Sequence, residues 1–140
     1  MPTINPILSF DGNTEEAFNF YKSVFGGEFQ SIMRWKESPG GDKRPANEGE
    51  KIMHVSLPVG GNVLMGGDAL ESMGQRLTAG NNFHIAIAPE IKNEADRIFS
   101  ALAEGGKIEM PLQDSFWGAY FGMLEDKFGI HWMMNYEYPK

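Results

Sequence analysis

In "TEEAFNFYKSVF", Thr14 to Phe25, apolar residues recur at Ala17, Phe20, Tyr21, Val24 and Phe25, the three-and-four spacing of a helix with one face on a core. A second stretch around "NEADRIFSALAEGG" repeats it with Ile91, Ala95, Ile98, Phe99 and Leu102. The two align: Glu16 and Ala17 with Glu94 and Ala95, Phe20 with Ile98, Val24 with Leu102, and Gly26-Gly27 with Gly105-Gly106 after a one-residue gap. Asn13 with Glu16 three residues on predicts an N-cap and its capping partner. Each Gly pair supplies the left-handed residue that ends a helix.

Short apolar runs flank both helices. "NPILSF" from Asn5 and "NFHIAIA" from Asn82 precede them. "EFQSIMRW", "KIMHVSLPV" and "NVLMGG" follow the first, and "KIEMPLQD", "AYFGMLED" and "IHWMMNY" follow the second. The order is βαβββ, twice, within one domain spanning 1–140: module one over about 1–67, a linker over about 68–80, and module two over about 81–140. The last hairpins align at a different offset, Gly61 with Gly129 and Met65 with Met133. The polar, Pro- and Gly-rich segment Lys36 to Glu50 accounts for the difference and reads as a mobile insertion at a hairpin.

Composition narrows the function. A net charge of -7, with no run of Lys or Arg, argues against nucleic acid or an anionic membrane surface as partner. No apolar run is long enough to span a bilayer, and "MPTINPILSF" lacks the basic-then-apolar order of a signal peptide, so the chain reads as soluble and cytoplasmic. With no Cys, neither thiolate nucleophiles nor thiolate metal sites are available.

The segments "FDGNTEEAFNFYKSVFGGE", "MHVSLPVGGNVLMGGD" and "PLQDSFWGAYFGMLEDKFGIHWMMN" resemble the PhnB-like branch of the vicinal oxygen chelate superfamily, which includes glyoxalase I, extradiol dioxygenases and the bleomycin resistance proteins. The resemblance implies an α+β fold: paired βαβββ modules forming curled mixed sheets around a cup-shaped cavity, helices on the convex side, usually as a homodimer. Whether the modules pair within one chain or across a dimer is left open. Sequences of this kind often carry a methyltransferase label, yet no Gly-rich strand-to-helix turn followed by an acidic ribose-binding residue is present.

Metal enzymes of the superfamily hold one divalent ion with His and carboxylate side chains from the first and last strands of each module. The internal alignment puts those slots near Pro6, at Met65, at His84 and at Met133, so only His84 offers a good ligand and the usual site reads as degenerate. No cofactor is expected; a divalent metal would rest on His84. His84 is either a satisfied histidine on a strand face or a polar group in the site, with Ile85 and Ile87 on the opposite face. His54 and His131 read as structural. In the last strand His131, Met133 and Asn135 share one face, Trp132 and Met134 the other. Phe116 and Trp117 lie in a loop, at a cavity rim or a dimer interface; Gln113 and Asp114 read as a solvated strand end.

Two functions follow. The first is a metal-independent protein that encloses a small, partly apolar ligand with His84, Met65, Met133, Trp117 and Phe116. The second is a lyase, isomerase or dioxygenase of the superfamily type, its metal held by His84 and an oxygen group such as Glu125 or Asp126. Methyl transfer is a distant third. No catalytic residue is assigned.

Overall fold

The computed structural model describes residues 2–140. The chain divides into two compact units, with the boundary between Thr78 and Ala79. The first runs β1 (Ile7–Phe10), α1 (Thr14–Phe25), β2 (Ser31–Arg34), a short helix α2 (Ala46–Gly49), β3 (Ile52–Val59) and β4 (Asn62–Asp68). The second runs β5 (Ile85–Ile87), α3 (Lys92–Ala103), β6 (Lys107–Asp114), β7 (Ala119–Glu125) and β8 (His131–Glu137). Their sheets share one topology, β1-β4-β3-β2 and β5-β8-β7-β6, with the first strand parallel to the last and the others antiparallel. The fold is α+β with the βαβββ unit repeated. Among the described residues no helix is long and apolar enough to cross a membrane.

Alternation along each strand sends one set of side chains under a helix. In the first unit Leu8, Phe10, Val55, Leu57 and Leu64 are buried with α1 residues Ala17, Phe18, Tyr21 and Val24, while Ile7 and Ser9 face away. Phe18 takes the core place expected of Phe20, which is only half-buried; it too sits one turn from Tyr21 and Thr14, and it packs edge-on against Phe10 and Tyr21. In the second unit Ala95, Ile98, Phe99 and Leu102 of α3 are buried along with Leu124, Trp132, Met134 and Tyr136. Ile91 is the exposed residue ahead of α3 rather than part of its core. Each large side chain removed from water contributes about 1.5–3 kcal/mol.

Two buried carboxylates hold the turns. Asp68, at the end of β4, accepts from the backbone N–H of Gly12 and Thr14, from the Thr14 hydroxyl and from the Ile52 N–H. It therefore caps α1 from across the sheet; Asn13 stands at the N-cap position but makes no side-chain cap bond. Asp126 accepts from the N–H groups of Phe128 and Ile130 and from the Trp132 indole, fixing the β7–β8 turn. The helix ends are as expected, with Gly26, Gly27 and Gly105 in the left-handed region.

The insertion from Lys36 to Glu50 is more organised than its composition suggests. It contains 3-10 turns at Trp35–Glu37 and Gly41–Lys43 and the helix α2, with the Arg44 guanidinium 4.9 Å from the Trp35 ring centroid. At the other end of the chain, Tyr138 donates to Asp114 and Lys92 lies over the rings of Tyr120 and Tyr138. Tyr120 donates to Asp96 at 2.6 Å, a bond that with burial pushes its hydroxyl up to about 12.

Gly66 shows how tightly α1 sits on its sheet. A Cβ there would collide with the ring of Phe18, itself 1% exposed and unable to move aside. Gly66→Ala is expected to cost about 1–3 kcal/mol by overpacking, read as a lower urea midpoint with an unchanged slope.

Candidate metal centre

Parallel pairing of β5 with β8 sets Ile85 beside Trp132 and Ala86 beside Met133, so His84, just ahead of β5, comes level with His131 at the start of β8. The rings stand 5.3 Å apart at 67°. Trp132 and Met134 go under α3, which leaves His131 and Met133 on the opposite face.

The third group arrives through an irregularity in β6. Ile108 pairs with Leu124 and Met110 with Met123, so two residues advance on β6 for one on β7, and Glu109 is the extra residue. Bulges of this kind re-aim side chains beside functional sites. Glu109 Oε1 lies 3.1 Å from His84 Nε2 and 3.4 Å from His131 Nδ1. Burial alone would raise the Glu109 carboxyl, but the hydrogen bonds and positive potential of the two imidazoles outweigh it and hold the group below the usual carboxylate range. Glu109 is thus the anionic acceptor at neutral pH, with both rings donating to it.

One ligand atom from each of His84, Glu109 and His131 lies within 4.8 Å of the others. Donors held about 2.0–2.2 Å from one ion stand roughly 3–3.5 Å apart, so both Glu109 distances already match. Two imidazoles and one carboxylate form a donor set that suits zinc, iron(II), nickel or manganese and leaves coordination positions open. The residues present fit such an ion.

Of the other residues singled out in the sequence, Glu125 belongs to this neighbourhood, with Oε1 3.8 Å from His131 Nε2. Asp126 is occupied by the turn. Met133 is one pleat repeat along β8 from His131 and pairs with Met123, which pairs with Met110. Phe121 lies one repeat further, opposite Asn135, and the Trp117 ring stands 5.3 Å from it. Phe116, 98% exposed, stacks edge-on against Trp117 in the β6–β7 turn. Met65 pairs with Ile7 and Ser56 in the first unit. The sequence reads His131 as structural and does not single out Glu109; both lie in the candidate cluster. The signal that could have found them is a His level with His84 on the partner strand, with a Glu in the same module's β6.

The first unit answers differently at the same places. Its pair Ile7 and Met65 corresponds to Ala86 and Met133, and two residues back from each lie Asn5 and Val63, where the second unit has His84 and His131. The Asn5 amide oxygen accepts from the Val63 N–H at 2.9 Å. No metal-ligating pair is formed there.

A family profile described as 3-demethylubiquinone-9 3-methyltransferase matches residues 2–135. The protein YjdN of Escherichia coli (strain K12) is 32% identical, covering 94% of this chain and 93% of its own length. Protein PA1353 from Pseudomonas aeruginosa is 37% identical, with a TM-score of 0.82 and coverage of 96% of this chain and 98% of its own. A putative 3-demethylubiquinone-9 3-methyltransferase, PhnB protein, from Bacillus cereus is 30% identical, with a TM-score of 0.77 and coverage of 96% and 99%. A glyoxalase/bleomycin resistance protein/dioxygenase family enzyme from Burkholderia phytofirmans PsJN shares the fold at 20% identity, with a TM-score of 0.61 and coverage of 96% of both chains.

Proposed function

The chain belongs to the 3-demethylubiquinone-9 3-methyltransferase family, the PhnB-like branch of the glyoxalase and bleomycin resistance fold; from that premise we propose that it is a metal-dependent enzyme which binds a small molecule through two neighbouring oxygens. The observation that carries this reading is the convergence of His84, Glu109 and His131 on one point. When bound, a divalent ion there would supply Lewis-acid polarisation of a substrate oxygen and acidify an attached hydroxyl.

The chain's own groups do the rest. Glu109, held ionised, is the anionic donor and offsets part of the ion's charge. Glu125, with Oε1 3.8 Å from the far nitrogen of His131, adds negative charge beside that ring. Met110, Met123 and Met133 form an adaptable apolar floor next to the three ligands, and Phe121 with Trp117 extends it for the apolar remainder of a substrate. Two oxygens and an apolar body are the substrate features this surface recognises.

A metal-independent binding protein is the second reading, favoured by Asn5 and Val63 standing where the first unit would need ligands. Methyl transfer, which the family description names, has less support. Neither sheet is the doubly wound parallel sheet with a Gly-rich turn on which Rossmann-type methyltransferases bind their methyl donor. Titration with a sulfonium methyl donor tests it directly.

Elemental analysis of gently purified protein, followed by calorimetry with acetohydroxamate as a two-oxygen probe, decides between the first two. The enzyme reading expects near-unit occupancy by one divalent metal and hydroxamate binding that vanishes on chelation. Metal-free protein that gains no hydroxamate binding when metal is added would leave the binding-protein reading.

A further inference from the structure

The first unit carries a cleft of about 680 Å³ that the metal reading does not use. That volume lies in the range of small-molecule sites. Ser9 of β1, Met53 of β3 and Gly67 of β4 line it together with Ile7 and Trp35, and the segment after β4 contributes Gln75, Arg76, Leu77 and Thr78. A Cβ on Gly67 would strike the Met53 carbonyl, so the cleft lies against a stretch of sheet that tolerates no side chain at that point.

The charge of this lining is one-sided. Asp68 is its only acid, and both carboxylate oxygens are spent on Gly12, Thr14 and Ile52. The Gln75 amide oxygen accepts from the Leu70 N–H, which leaves the Gln75 NH₂ to donate. The Trp35 indole N–H is shut away from solvent with no partner among the described residues. Arg76 has neither an ion pair nor a hydrogen bond among them. Ile7, Met53 and Leu77 supply apolar surface. The Gln75 NH₂ and one uncompensated positive charge, on Arg76, thus face a largely apolar cleft whose one carboxylate is saturated and whose remaining polar side chains, Ser9 and Thr78, are neutral hydroxyls.

We propose that this cleft binds a small amphiphilic carboxylate, its head on the Arg76 guanidinium and the Gln75 amide and its apolar body against Ile7, Met53 and Leu77. A neutral carbonyl compound would use the donors and leave the guanidinium charge unanswered. A dianion would bring more charge than one arginine offsets. The proposal does not rest on a metal at His84, Glu109 and His131.

The test is a titration of the isotope-labelled full chain with 2-naphthoate, with 2-naphthamide as its neutral counterpart, followed by NMR at the Gln75, Arg76 and Leu77 amides and the Trp35 indole N–H. The expected result is movement of those signals and about fivefold tighter binding of the carboxylate than of the amide, the size of one exposed charge pair. Arg76→Gln, a change on the exposed segment after β4, removes that difference and leaves naphthamide unchanged. Ile7→Glu, on a side chain 64% exposed, abolishes naphthoate binding by repulsion, and His84→Ala leaves it intact. Equal affinity for acid and amide, no effect of Arg76→Gln, or shifts confined to the second unit would each overturn the proposal.

Discussion

Millimolar zinc added to chelator-stripped protein is expected to raise the melting temperature, and His84→Ala, Glu109→Ala and His131→Ala are each expected to lose the rise. An ion that binds only the folded chain with micromolar affinity contributes about 4 kcal/mol at that concentration. For a chain of this size the shift is on the order of 10–15 °C. The stripped His84→Ala and Glu109→Ala variants should differ little from the parent, whereas His131 is buried and its truncation lowers the metal-free melting temperature as well, so each variant's rise is read against its own stripped form. Glu109 is partly exposed, at 28% of its side chain, and pairs of that kind contribute at most about 1 kcal/mol. At His84 and Glu109 the signature of a metal centre is therefore a small change without the ion and a large one with it. His54→Ala supplies the control, because the third histidine is not in the cluster. A rise retained in Glu109→Ala would place the ion elsewhere on this acidic chain.

Elements were legible in the sequence wherever one period held over a whole segment. The helical spacing from Ala17 to Val24 and from Ala95 to Leu102, with glycine pairs behind each, marks both α1 and α3. Alternation in "IHWMMNY" correctly separates Trp132 and Met134 from His131 and Met133. The site was legible only in part. Assigning ligands to the first and last strands of each module reaches His84 of the candidate cluster, and on β8 it points to Met133, one pleat repeat along the same face from His131. Glu109 sits in β6, outside those strands, as the unpaired residue of a bulge, and a strict two-residue period does not announce where a bulge falls. The cap on α1 was hidden for another reason. Local spacing points to Asn13, but the acceptor is Asp68, brought in from more than fifty residues away by the pairing of β1 with β4.

That long-range cap gives the second large effect: Asp68→Ala is expected to cost about 4–6 kcal/mol. Truncation strips the acceptor from three backbone N–H groups and one hydroxyl at once, and Thr14, Ile52 and Asp68 itself are all at least 95% buried. Each buried donor left without a partner costs about 1–3 kcal/mol, reduced where water enters. Since a domain's whole stability is about 5–15 kcal/mol, the first unit would be near its unfolding threshold. Asp68→Asn should cost less, about 2 kcal/mol: the amide oxygen can keep the bonds to Gly12 and Thr14, but its NH₂ then confronts the Ile52 N–H. Hydrogen exchange locates the damage. In Asp68→Asn protection should fall first at Gly12, Thr14 and Ile52 while the amides of β7 and β8 keep theirs, and Asp126→Ala should produce the converse pattern around Phe128 and Ile130. Uniform loss of protection in both variants would mean that the two units open together, and the carboxylate's role could then no longer be read as local to its own sheet.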